Sequence, residues 1–153
     1  MKRPEPARQL SVHDFAAKFL EALAILLNCN EGIGARLPDG CCPDVLRVNT
    51  RNNVLFIGDA KVTESPGCRQ TQARLLRYLS WVSAHVRRPR ALGLFAICFP
   101  NRSDGEGWIS MVELLGDEVG LTRGKRGVVE FDSQLFVAWF LYDRDCCMSR
   151  GRS

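Results

Sequence analysis

The segment NVLFIGDAKVTE, residues 53–64, constrains the fold more than any other part of the chain. Residues 54–57 are all apolar. A strand of this kind has no polar face to offer water, so it belongs in the middle of a sheet covered on both sides. The run ends in Gly58, Asp59, Ala60 and Lys61, an acid and an amine two residues apart. Charges at the end of a core strand destabilise it unless they are paired, hydrated or bound to an ion.

The residues before this strand supply a partner. Residues 45–48 read as a strand, and residues 49–53, NTRNN, read as its turn, because asparagine tolerates left-handed backbone. With the turn centred between Arg51 and Asn52, the two strands pair antiparallel and residue 44 faces residue 59. Directly opposed positions have Cβ atoms about 4.5–5.5 Å apart. Asp44 and Asp59 are therefore expected side by side, and two such carboxylates repel unless something positive lies between them. Magnesium suits the place, since it takes one or two carboxylates and fills its octahedron with water and phosphate; manganese is the alternative. Strand alternation puts Lys61 on the same face as Asp59. An amine there can position an attacking water or stabilise charge on phosphorus. Pro38-Asp39 is a rival to Pro43-Asp44, but it precedes Gly40 and reads as a turn. A surface hairpin carrying an Asp–Lys ion pair is the plain alternative for the whole set.

Around this hairpin the pattern predicts helices on both sides. Ser11 and Asp14 form an S-x-x-D helix start. Phe15, Phe19, Leu23 and Leu26 then give an apolar stripe, and the helix runs to about residue 28. Residues 33–37 include a short strand. Leu75, Leu79, Val82 and Val86 mark a second helix over residues 69–87, which Pro89 ends. Residues 91–99 are a strand, residues 108–115 and 128–131 are strand-like, and Asp132 caps a last helix over residues 133–142. Residues 1–10 and 143–153 read as disordered ends, leaving one domain over residues 11–142. The expected class is α/β, a mixed sheet flanked by helices in the order α-β-β-β-α-β, with a C-terminal extension.

Pro43-Asp44, fourteen intervening residues and Asp59-Ala60-Lys61 together resemble the signature of the PD-(D/E)xK nuclease superfamily, which has the restriction-endonuclease-like fold. The core order is similar as well, and the resemblance covers about residues 11–99. It implies that Asp44 and Asp59 bind magnesium with help from the Ala60 carbonyl, and that Lys61 assists the attacking water. Many members add a glutamate from the first helix. Glu21 is the matching position, with a solvated helix residue as its other reading. Relatives also carry a glutamine on the second helix. Gln72 shares a helical side with Leu75, Leu76 and Leu79, and Gln70 is the alternative. The glutamine-to-tyrosine spacing of some branches is not met, because Tyr78 lies six residues beyond Gln72.

Composition sets the partners. The 153 residues carry a net charge of +4, and 17 of the 21 basic residues are arginine, the better residue for bidentate phosphate contacts. Arg69, Arg74, Arg77 and Arg88 on the second helix, and Arg123, Lys125 and Arg126 in a glycine-containing basic loop, are the candidate DNA contacts; solvated basic faces are the alternative. The charge permits a nucleic-acid partner without requiring one. Seven cysteines, an odd number with no CxxC, fit reduced thiols better than a disulfide framework or zinc ribbon. No signal peptide and no apolar run of membrane-spanning length is seen, so a cytoplasmic protein without a membrane partner is expected. His13 and His85 read as ordinary helix residues, and there is no P-loop or GxGxxG. The expectation is a magnesium-dependent endonuclease acting on DNA, RNA not excluded. It would act as a homodimer, because cutting both strands needs two sites. The alternative is a catalytically inactive chain of the same fold that binds nucleic acid or serves as an assembly subunit.

Overall fold

Ser11 starts the first helix, α1 (Val12–Leu26), by accepting the Asp14 N–H on its hydroxyl at 3.1 Å. A computed structural model describes residues 11–32, 37 and 42–144 of the chain. The face that α1 buries is not the one its large residues suggest. Ala16, Leu20 and Ala24 are buried, while Phe15 is 52% and Leu26 77% exposed. The reason is closeness. Small Ala16 and Ala24, four residues either side of Leu20, let α1 lie down on the sheet, and a Cβ placed on Gly58 would meet Leu20 at 3.3 Å. The bare glycine thus makes room for α1 rather than for Asp44.

Six strands form one mixed sheet in the order β1-β2-β3-β4-β6-β5. They are β1 (Glu31–Gly32), β2 (Val45–Asn49), β3 (Val54–Ala60), β4 (Leu92–Phe99), β5 (Arg123–Asp132) and β6 (Leu135–Asp143). As its apolar sequence requires, β3 is interior, antiparallel to β2 and parallel to β4. The hairpin register pairs Val45 with Gly58, so the next position brings Asp44 opposite Asp59, as expected. The turn residues set it: Asn49 Oδ1 accepts the Asn52 N–H, and Asn53 adopts a φ of 55°.

Strand alternation divides β3 between two cores. Phe56 and Ala60 pack under α1, while Leu55 and Ile57 belong to the core on the opposite face. That second face is covered by α2 (Arg69–Val86) through Leu75, Leu79, Val82 and Val86. The helix crosses β4 most tightly at Gly93, where an added Cβ would lie 2.4 Å from Val82 Cγ1. A β-branched side chain in a helix has almost one rotamer, so the helix itself would have to move. Gly93→Ala is expected to destabilise the fold by about 1–3 kcal/mol, as overpacking does, and urea unfolding against the wild type measures it.

The C-terminal third departs from the sequence reading. Residues 108–115 are not a strand but part of α3 (Gly105–Glu118), whose buried Trp108, Met111, Val112 and Leu115 follow helical spacing. Nor do residues 133–142 form a helix. Asp132 ends β5, its Oδ1 accepts the Ser133 N–H, and the chain turns into β6, which is central and therefore apolar on both faces. The Arg123–Arg126 region is the start of β5 rather than a loop. The short strand expected over residues 33–37 lies, but for Leu37, outside the described residues, as do residues 1–10, Pro38-Asp39 and residues 145–153; β1 precedes it. The strand β6 continues to Asp143, one residue into the expected tail.

Candidate active site

The end of the β2–β3 hairpin gathers the predicted acids and the lysine. Asp44 Oδ2 accepts the Ala60 N–H at 2.7 Å, so its carboxylate continues the ladder one step beyond β2. Asp59 Oδ2 lies 2.7 Å from Lys61 Nζ. Both residues are buried, at 4% and 3% exposure. The contact is a close ion pair between an ammonium and a carboxylate oxygen, with no second donor on that oxygen among the described residues. Burial pushes the Asp59 carboxyl up to about 7, and a hydrogen bond shared with Asp44 adds to the rise; the Lys61 charge opposes it but does not win. A buried carboxyl that faces a second acid fits a divalent cation, which takes oxygen ligands and needs them unprotonated. Among the described residues, no three His, Cys, Asp or Glu side chains gather around one point.

His13 was not singled out by the sequence, yet it stands here. Its Nε2 is 3.4 Å from Asp44 Oδ1. No sequence spacing announces this, because the contact depends on how the first turn of α1 sits over the end of β2.

Glu21 is not brought to the acids. It is held by Arg47 of β2, Nη2 to Oε1 at 2.5 Å. Arg47 alternates with Val45, on the α1 face of the sheet, whereas Asp59 and Lys61 alternate with Leu55 and Ile57 on the α2 face. The rotation of α1 that buries Ala16, Leu20 and Ala24 turns Glu21 to this pairing. Gln72 is likewise used locally: its Nε2 donates to the Pro66 carbonyl at 2.9 Å and ties α2 to the loop before it.

The candidate nucleic-acid contacts separate into two groups. Arg69, Arg74, Arg77 and Arg88 are exposed on or just beyond α2, on the acids' side of the sheet. Arg74 and Arg77 lie three residues apart on one side of α2, and Arg88 follows its end. In the second group, on β5, Arg123 pairs with Glu113 at 3.1 Å and with Asp117, and Arg126 pairs with Glu113. Lys125 is exposed.

The fold and site define a mixed α/β chain with an acid pair and a buried lysine at the mouth of its central hairpin. No family model, curated protein or solved structure is detectably similar to it.

Proposed function

We propose that this chain is a metal-dependent nuclease of the PD-(D/E)xK type that hydrolyses phosphodiester bonds in DNA. The observation that carries the reading is Asp59: a buried carboxyl set against both Asp44 and Lys61 at a strand end. Asp44 and Asp59 would hold magnesium or manganese, with the Ala60 carbonyl as the backbone candidate. The bound cation supplies Lewis acidity and neutralises phosphate charge. Asp44 is oriented for this by the Ala60 N–H and neighboured by His13. Lys61 is positioned by Asp59 and offers its amine to the attacking water or to charge on the phosphorus. The arginines along α2 would meet the phosphate backbone, each contact steepening the salt dependence of binding. Glu21 and Gln72 have no part in this arrangement.

A cytoplasmic setting suits the free thiols of Cys29, Cys42, Cys68 and Cys98. Among the described residues, no helix is long and apolar enough to cross a membrane. A homodimer is part of the proposal. The exposed arginines of α2 would equally serve a second reading, in which the same fold binds nucleic acid without cutting it.

Purified protein with magnesium or manganese should nick or cut at least one of supercoiled, linear, branched and single-stranded DNA, and chelation should stop it. If every DNA form and RNA stays intact, hydrolysis is refuted. Salt-dependent binding that ignores both chelator and Asp59→Ala would then favour the binding subunit.

A further inference from the structure

The two edges of the sheet are unlike. One is β1, only two residues long; edges that short are protected from pairing with another chain. The other is β5, ten residues long, and no described strand pairs with its outer side. Proteins usually defend such an edge with charge, proline or bulges. Here the bulges stand at the two ends, between Arg123 and Lys125 and between Glu130 and Asp132, which leaves residues 125–130 regular. Within that stretch Val128 and Val129 are 45% and 41% exposed. The flanking charges are of opposite sign: Arg126 stands two residues before Val128 and Glu130 two residues after it.

We propose that β5 pairs antiparallel with β5 of a second copy about a two-fold axis at Val128, joining two sheets into one. An axis perpendicular to a sheet makes its central residue face its own copy, and residues equally spaced on either side face each other. Val128 then meets the partner's Val128, and Arg126 meets the partner's Glu130. Opposite charges and β-branched residues facing one another stabilise antiparallel strands, while like charges facing one another destabilise them. Parallel self-pairing would set Arg126 near its own copy. An axis at Gly127 would leave both charges facing uncharged residues. The Val128 register alone pairs them, and it links the Arg126–Glu113 and Arg102–Glu130 ion pairs of the two copies into one run of alternating charge. On the other face, Val129 and Phe131 form the outer wall of an apolar cleft of about 350 Å³ beneath Leu23 and Leu27, and pairing prolongs that wall.

This pairing does not rest on the hydrolytic reading, but it alters what a dimer does for it. Val128 pairs with Ala138, Ala138 with Ile97 and Ile97 with Asp59, so the two Asp59 residues lie level with the axis, one on each side of it. They stand seven strand spacings apart, roughly 34 Å. Two sites so placed do not cut both strands of a duplex at one point; each nicks by itself.

Sedimentation of the full chain should give twice 17.2 kDa, and Val128→Lys, which sets like charges across the axis, should return it to 17.2 kDa with an unchanged circular-dichroism spectrum. Mild oxidation of Val128→Cys should yield a covalent dimer that neither the wild type nor Val129→Cys forms. A wild type monomeric at all concentrations, or a dimer indifferent to Val128→Lys, overturns the proposal. Should Val128→Lys fail to fold, the cross-link decides alone, and its absence is equally fatal.

Discussion

Asp59→Ala is expected to abolish metal-dependent cleavage and, separately, to destabilise the fold. The two effects have different origins. Cleavage falls because a metal ligand and the anchor of Lys61 are lost together, and removal of a single electrostatic contributor costs on the order of 10²–10³-fold in rate. Stability falls because Lys61, at 3% exposure, is left as a buried amine without its counter-ion. Breaking a buried pair from one side costs about 3–5 kcal/mol. Lys61→Ala should cost less at neutral pH, since the orphaned Asp59 can neutralise itself by taking a proton, its carboxyl already raised to about 7. Urea unfolding of the two variants at one pH orders them. Equal losses, or a greater loss for Lys61→Ala, would contradict this account of the pair.

The second large effect is a pH dependence carried by the same carboxyl. Its ordinary value is 3.8 and its value in the fold is about 7. The folded state therefore holds a proton that the unfolded chain has already released. The stabilisation from that proton is complete below pH 4 and is lost as pH rises toward and through 7. At 1.36 kcal/mol per pH unit of displacement, the span is about 4 kcal/mol. In chelator, the wild type should lose stability across this window relative to Asp59→Asn, which has nothing to titrate. Magnesium or manganese should flatten the loss, because a cation replaces the proton between Asp44 and Asp59 and binds better as pH rises. If wild type and Asp59→Asn run parallel from pH 4 to 8 in chelator, the burial of a shared proton is wrong. If metal leaves the slope unchanged, the cation site is wrong.

The half of the fold that holds this site was legible because its signals are local. An apolar strand with no polar face is interior, a run of asparagines makes a turn, and the turn fixes which acids meet. The first helix was legible as a helix but not in its orientation. Phe15 and Leu26 look like core residues until the spacing between helix and sheet is known. Ala16, Leu20 and Ala24 win because they allow the closer approach over Gly58. The pairing of Glu21 with Arg47 was hidden for the same reason, since its neighbours follow from that rotation. In the C-terminal third, Trp108, Met111, Val112 and Leu115 did carry helical spacing, obscured by reading a short apolar run as a strand. The β6 run is apolar at every position from Leu135 to Tyr142, so periodicity cannot separate a central strand from a buried helix. The two-residue connection after Asp132, which makes it a hairpin, was the better guide.

Asn53 sits at the far end of the hairpin from the acids, with its backbone left-handed and its side chain donating to the Pro89 carbonyl at 3.1 Å. Because β2 and β3 meet in one register, a slip of a single residue would turn the outward set of side chains inward. Asp44 and Asp59 share no covalent tie nearer than this turn. Their juxtaposition is therefore a property of folding fidelity: the chain that counts correctly at Asn53 assembles the acid pair, and a miscounted hairpin would carry every residue of the site and none of its geometry.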